Sequence, residues 1–220
     1  MTVVGITGPT GAGKTTALEV LAELGFEIVN CDALYYRLLR DDGQLRRKME
    51  EAFGQVFLPD GGLDRRALAK RVFADPAELA KLNAVVFPAV SAAVEQKIRN
   101  CSQKGLAIDA INLVESGIGR LCGVTVAVTA PPEIRRRRIM DRDGLTEEQA
   151  GARIAAQKSA DWYRQHCSFL LENREENREV FQALMRTFFQ NLLEIIDKGE
   201  NCDGSQGMEG KTSAGEEKRL

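Results

Sequence analysis

The chain has 220 residues, 44% of them hydrophobic and 28% charged, with a formal net charge of −2. That length suits one core carrying an inserted segment, and the near-neutral balance gives no general attraction to nucleic acid or anionic lipid. Apolar runs stay well short of the roughly 18 uninterrupted residues of a membrane span, and the N-terminus lacks the basic flank of a secretory signal, so the expectation is a cytoplasmic protein without a membrane or nucleic-acid partner.

Residues 3–7 read as a buried strand, followed by a glycine-rich turn and a helix over 14–24 stopped by Gly25. A second strand is expected over 26–31. Residues 33–100 are almost wholly helical in pattern, interrupted by the turn Asp60-Gly61-Gly62 and restarted at Asp75-Pro76, where Asp caps and Pro fills the first helical position. Gly105 closes this stretch, and strands are expected over 106–114 and 124–129. After Pro131-Pro132 comes a strongly basic helix to about Arg142, a turn at Asp143-Gly144 and a helix opened by a Thr146/Gln149 capping box, a hairpin suited to act as a lid. A last strand is expected over 168–171, covered by a final helix through Phe181, Leu184, Phe188, Leu192 and Ile195. Residues 199–220 are glycine, serine and charge with little to bury, and are expected to form a disordered tail.

Strands alternating with helices predict an α/β fold in three layers around a mainly parallel five-stranded sheet, with ligands bound beyond the carboxyl ends of the strands. At the first such end lies Gly8-Pro9-Thr10-Gly11-Ala12-Gly13-Lys14-Thr15, which satisfies G-x-x-x-x-G-K-S/T at every fixed position. Gly8, Gly11, Ala12 and Gly13 let successive backbone N–H groups and the helix N-terminus point at phosphate oxygens, and Lys14 adds a full positive charge. Thr15 is the expected Mg²⁺ ligand, and Thr16 reaches the α-phosphate. A mere connecting turn is disfavoured by the strand-to-helix context. The motif leaves hydrolysis and transfer open, since GTPases, motor ATPases and small-molecule kinases share it. A guanine-reading N/T-K-x-D is missing from the expected region, which counts against a GTPase, and the D-x-x-G match at Asp141-Arg142-Asp143-Gly144 follows a helix rather than a strand.

Several motifs together resemble the dephospho-coenzyme A kinases over most of residues 3–173. They are the P-loop with Thr16, Cys31-Asp32-Ala33 with Arg37, Phe53-Gly54 leading to Asp60-Gly61-Gly62-Leu63-Asp64-Arg65-Arg66-Ala67-Leu68, then Val72-Phe73, Leu82-Asn83, Pro88, Glu115-Ser116-Gly117, Arg142-Asp143-Gly144, Arg153-Ile154 with Gln157, and Asn173. The chain departs from the family pattern at Phe87, where His is usual, and over 111–115, where Ile-Asn-Leu-Val-Glu replaces Pro-Leu-Leu-Phe-Glu. The resemblance implies ATP and Mg²⁺ as cofactors and transfer to the ribose 3′-hydroxyl of dephospho-coenzyme A as the small-molecule acceptor; a monomer or weak homo-oligomer is expected, although the sequence does not reveal oligomeric state. It divides the chain into a nucleotide-binding core of residues 1–38 and 105–198 with a lid at about 135–158, a helical acceptor-binding insertion over 39–104, and the tail. Two alternatives remain from the P-loop alone: another small-molecule or nucleoside kinase, and an ATP-sensing binding module.

Phosphoryl transfer calls for one acid near the acceptor hydroxyl and several cations near the phosphates. Asp32, just past the second strand, is the expected base and acceptor contact, with helix N-capping as its alternative role. Asp109, within the third strand, is expected near Mg²⁺, with edge solvation as the alternative. Arg142 matches the position that reaches the transferred phosphate, Asn173 is expected at the nucleotide, and Arg37, Arg65 and Glu115 at the acceptor. Pairing of Arg65 with Asp64 or Glu51 is the competing reading. Arg135, Arg136, Arg137 and Arg138 span too much of a helix to share one ligand, so most are expected to be solvated, with Arg138 assisting Arg142. Five widely spaced cysteines, odd in number and without C-x-x-C, argue against disulfides and zinc, and the lone His166 is expected on the surface.

Overall fold

A computed structural model of the chain describes residues 1–199, so the expected tail lies outside the described residues beyond Gly199. Strands β1 (Thr2–Thr7), β2 (Phe26–Asn30), β3 (Gly105–Asp109), β4 (Val124–Thr129) and β5 (Phe169–Glu172) form one sheet of order β2-β3-β1-β4-β5, parallel throughout. Both faces are covered, which is why β1 and β4 read as near-continuous apolar runs.

Helices α1 (Lys14–Glu23) and α9 (Arg178–Asp197) cover one face, where Val20 and Leu21 of α1 meet Ile6, Val126 and Phe189. The stripe that α9 buries is Phe181, Met185, Phe189, Leu192 and Leu193, which keeps Phe181 and Leu192 of the expected set, whereas Leu184 is half exposed and Phe188 and Ile195 are only partly covered. The i, i+4 row from Phe181 to Leu193 packs along α1, which turns Leu184 outward.

Between β2 and β3 run α2 (Cys31–Asp41), α3 (Gly43–Phe53), α4 (Arg65–Ala74) and α5 (Pro76–Asn100). Their core is continuous with the second sheet face, since Val29, Leu106 and Ile108 pack in one cluster with Leu45, Met49, Phe53, Val72, Val86 and Val90. Helix α5 has the length and apolar content of a membrane span by composition, yet it lies against α2, α3 and α4 and carries Glu78, Lys81, Glu95, Lys97 and Arg99. Asp75 caps it by accepting from the Ala77 N–H at 2.8 Å, ahead of Pro76 as expected.

Strand β3 ends at Asp109, five residues short of the expectation. Its neighbours set that limit: Asp109 is level with Ile6 of β1 and Asn30 of β2, the Ala110 N–H donates a last bond to Ile6 O at 3.2 Å, and the register ends there. The chain turns instead through residues 110–117 into a 3₁₀ turn, Ile118–Leu121. Beyond β4, α6 (Pro132–Asp143) and α7 (Glu147–Ala155) form a hairpin, with the Thr146/Gln149 capping box in place, and α8 (Ala160–His166) leads into β5.

Candidate active site

The phosphate loop leaves β1 at the carboxyl edge of the sheet and closes on α1 through three left-handed glycines. Gly8 has φ 132°, and a Cβ there would stand 2.0 Å from the Val128 carbonyl oxygen, so backbone proximity as well as conformation demands glycine. Behind Gly13 lies the buried Asn173, whose amide donates to the Ala12 carbonyl at 3.0 Å. The Lys14 ammonium donates to Gly8 O at 2.7 Å and Pro9 O at 3.4 Å, which holds it over its own loop. Burial pulls the Lys14 pKa down, while the charges of Asp109 and Asp32 work against that shift.

Loop, Asp109, Ile111, Arg138 and Arg142 line one cleft. Asp109 is on a central strand between β2 and β1, which excludes edge solvation. Its Oδ2 accepts from Asn30 Nδ2 at 2.7 Å, and among the described residues no protein donor reaches Oδ1. Burial raises its pKa first; Lys14 and Asn30 oppose the rise, and Asp32 adds to it. Asn30 was not singled out by its sequence, although an Asn before a helix is a recognisable signal. It is the N-cap of α2, its Oδ1 accepting from the Ala33 N–H at 2.8 Å. The capping role is therefore not Asp32's, and that carboxylate stands exposed in the first turn of α2, where the helix dipole favours a negative charge.

A second, mostly apolar cleft opens between α2, α5 and the turn after β3, lined among others by Asp32, Tyr35, Val86, Phe87, Ile111 and Asn112. Both departures from the family pattern thus border it, through Phe87 and through Ile111 and Asn112, while Leu113 is core. Ile111 lines both clefts and is pinned there because its carbonyl accepts from Thr7 Oγ1 at 3.0 Å. Cys31 also lines the apolar cleft, but burial, Asp109 and Asp32 push its thiol up to about 12, so it stays protonated and is no nucleophile.

The arginines of α6 do not behave as a solvated run. Arg135 is 6% exposed and donates to Thr10 O at 2.9 Å and to Gln157, and Arg138 donates to Gly11 O at 3.1 Å and Glu175 O at 2.6 Å. Only Arg136 and Arg137 are surface ion pairs, with Glu147 and Glu176. Their i, i+3 spacing places Arg135 and Arg138 on the loop side together. Gln157 completes the grip: its Oε1 accepts from the Thr10 N–H at 3.2 Å and its Nε2 donates to Thr10 Oγ1 at 2.9 Å. Arg142 reaches the first cleft while bonded to Asp143 at 2.7 Å.

Of the expected acceptor contacts, Asp32 lines the apolar cleft. Arg65 does not pair with Asp64 or Glu51; it stacks on Tyr36 with its guanidinium carbon 3.8 Å from the ring centroid, beside a third cleft. Arg37 lies about 140° around α2 from Asp32 and lines neither the apolar nor the third cleft. Glu115 is exposed and turns toward α8, where its charge adds to the burial that raises Tyr163 to about 12. Exposed His166 stacks on Trp162 at 4.3 Å and does not line the phosphate cleft.

Phosphate cradle and apolar cleft meet at Ile111, so a group bound in one is presented to a group bound in the other. A P-loop protein built this way is a phosphotransferase acting on a small molecule. The family model described as dephospho-CoA kinase matches residues 2–179. A dephospho-CoA kinase of Dehalococcoides mccartyi is 36% identical over 193 residues, covering 84% of this chain and 97% of that protein. One from Deinococcus radiodurans is 37% identical over 172 residues, covering 77% and 82%. A crystal structure from Thermus thermophilus superposes with a TM-score of 0.72 at 32% identity, covering 88% of this chain and 97% of that one. A shikimate kinase from Bacteroides thetaiotaomicron matches with a TM-score of 0.56 at 13% identity, covering 88% and 98%, a likeness of fold alone. The chain belongs to the dephospho-CoA kinase family.

Proposed function

We propose that this chain transfers the γ-phosphoryl group of ATP to the ribose 3′-hydroxyl of dephospho-CoA, giving CoA and ADP. The observation that carries this reading is the shared wall at Ile111, which sets Asp32 of the apolar cleft beside Lys14 and Asp109 of the phosphate cradle. Loop N–H groups and Lys14 hold the β- and γ-phosphates, and the acceptor nucleoside lies against Tyr35, Val86 and Phe87 with its hydroxyl at Asp32. The oxygen of that hydroxyl forms the new P–O bond as the bond to ADP breaks, and the proton passes to Asp32. The transition state is loose, so Asp32 chiefly orients the hydroxyl and receives the proton late. Arg142 and Arg138 meet the charge on the moving phosphoryl group and the ADP oxygens.

The donor set suits Mg²⁺, a hard cation that takes one or two protein oxygens and completes its shell with phosphate and water. Thr15 and the unbonded Oδ1 of half-buried Asp109 would provide those oxygens, and among the described residues there is no cluster of three acidic, His or Cys ligands that would hold a metal alone. When bound with the nucleotide, the ion would neutralise part of the charge on the phosphates held by the loop. The adenine of ATP fits the pocket behind the loop formed by Gly13, Thr16, Arg138 and Asn173, and the α6–α7 hairpin acts as the lid. The free thiols of Cys31, Cys101, Cys122 and Cys167 support a reducing, cytoplasmic setting.

A coupled ADP-release assay with a panel of alcohols tests the reading. Dephospho-CoA is expected to drive turnover above all other acceptors, and preferential turnover of another alcohol sinks it. Asp32→Asn is expected to lower kcat about 10²–10⁴-fold with ATP affinity kept, as for loss of a proton acceptor.

A further inference from the structure

The α6–α7 hairpin holds a carboxylate that lines neither the phosphate cleft nor the apolar one. Asp143 is the last residue of α6, at the helix end where the dipole disfavours negative charge, so helix stability does not account for it. Guanidinium groups occupy both of its oxygens. Arg142 Nε donates to Oδ1 at 2.7 Å and Arg142 Nη2 to Oδ2 at 3.0 Å, while Arg153 Nη1, from α7, donates to the same Oδ2. Gly144 makes that meeting possible, because its left-handed φ of 64° turns the chain sharply between the two helices. These bonds hold the Asp143 pKa down at about 2, with Arg142 contributing first and Arg153 after it, so the carboxylate is ionised at neutral pH.

A fork between adjacent residues is not by itself a device, as Arg40 and Asp41 show. They make the same two bonds, at 2.7 and 3.1 Å, but their side chains are 75% and 55% exposed, and among the described residues no second arginine bonds that carboxylate. The Asp143 side chain is 24% exposed, and its arginine lines the phosphate cleft. Arg142 stands near enough to Lys14 for its charge to lower the pKa of that ammonium. The atoms already engaged decide what remains: with Nε and one N–H of Nη2 on Asp143, both N–H groups of Nη1 and the outer one of Nη2 have no protein partner among the described residues. Arg153 lies four residues before Gln157, which binds Thr10. The α7 segment therefore reaches both the crown of the phosphate loop and the carboxylate that grips Arg142.

We infer that Asp143 is a positioning residue for phosphoryl transfer: backed by Arg153, it fixes the plane of the Arg142 guanidinium so that the free N–H edge faces the phosphates beside Lys14. The inference rests on the placing of Arg142 at the transferred phosphate and adds the group that orients it. An arginine in solvent is spread over many rotamers, and a preformed fork removes that spread before the nucleotide arrives. Arg153 also settles the charge. Arg142 and Asp143 alone would bring a neutral pair to the phosphates, whereas two guanidinium groups on one carboxylate leave the trio net positive. Asp143 thus aims a cation without cancelling it.

Steady-state kinetics on a double-mutant cycle is the test, with the melting temperature read on each sample. Asp143→Ala is expected to lower kcat about tenfold or more, while the KM for the acceptor moves within about twofold and the melting temperature stays near wild type. In an Arg142→Ala background the same change is expected to lower kcat no further, because no guanidinium is left to aim. Arg153→Gln is expected to lower kcat as well, and Arg153→Lys, which keeps the charge, to recover most of the loss. Should the alanine variant not fold, Asp143→Asn, which retains an accepting oxygen and loses the charge, goes through the same cycle. Wild-type kcat in Asp143→Ala, losses that multiply in the double variant, or a kcat that falls only as the melting temperature falls each overturn the inference. Full turnover in Arg142→Ala removes that arginine from the transfer, and the inference with it. The cycle is run with the alcohol that the acceptor panel selects, so failure of the dephospho-CoA reading leaves the result for Asp143 standing on its own.

Discussion

Lys14 and Asp109 share a feature expected of groups kept for chemistry rather than stability. Each is pulled by burial toward its uncharged form, and each is partly restored by the other. For Asp109 the raised native pKa means that, in the window between the ordinary carboxylate value and the raised one, the folded chain holds a proton that the unfolded chain has released. Stability therefore falls as pH rises through that window and stays lower at neutral pH, the reverse of a salt-bridged carboxylate. Asp109→Asn is expected to raise the melting temperature at pH 7 and to flatten this part of the stability profile, while Mg²⁺-dependent turnover collapses. A variant that is less stable than wild type at pH 7 would show that the carboxylate is structural. Lys14→Ala is expected to cost about 10²–10³-fold in turnover, as loss of a preorganised electrostatic contact does, with the fold retained. Steady-state kinetics and circular dichroism on the same sample check both halves.

At the scale of elements, the loop is held from two sides. Asn173, just beyond β5, binds Ala12 from behind, while Arg135 and Arg138 of α6 and Gln157 after α7 bind Thr10, Gly11 and Ala12. Gln157 reaches both the N–H and the hydroxyl of Thr10 and also Arg135, so it ties the end of the α6–α7 hairpin to the crown of the phosphate loop. Gln157→Ala leaves Arg135 and Thr10 short of a partner in a part-buried place, and is expected to raise KM for ATP several-fold with a smaller change in the KM for the acceptor. Equal shifts in both constants would mean general loosening of the fold. These ties were illegible in the sequence, because nothing in a run of four arginines says which two point at a carbonyl 125 or more residues earlier. Spacing alone showed only that they could not all act together. The inward stripe of α9 was read correctly at Phe181 and Leu192 and wrongly at Leu184 for a related reason: Leu184 and Met185 are both apolar, and only the position of α1 decides which one is covered.

The whole molecule joins a rigid sheet edge to two flanking ligand clefts, and binding one ligand should be felt as stability of the entire cooperative unit. MgATP at a hundredfold excess over its Kd is expected to contribute about 2.7 kcal/mol, or a rise of roughly 5–10 °C in Tm for a chain of this size. The rise should vanish in Lys14→Ala; if it persists there, the nucleotide is held elsewhere. The amino-acid sequence by itself determined the α/β class, the phosphate loop and the family, because these depend on local spacing: apolar periodicity, glycines at fixed offsets, and short motifs in order. Only the tertiary structure decided that Asn30 rather than Asp32 caps α2, that β3 stops at Asp109, that Arg65 lies on Tyr36, and that Ile111 is the wall between two clefts. Each of these depends on which strand or helix stands beside a residue, and that neighbour is fixed by the parallel ladder and the shared core rather than by the residue's own stretch of chain.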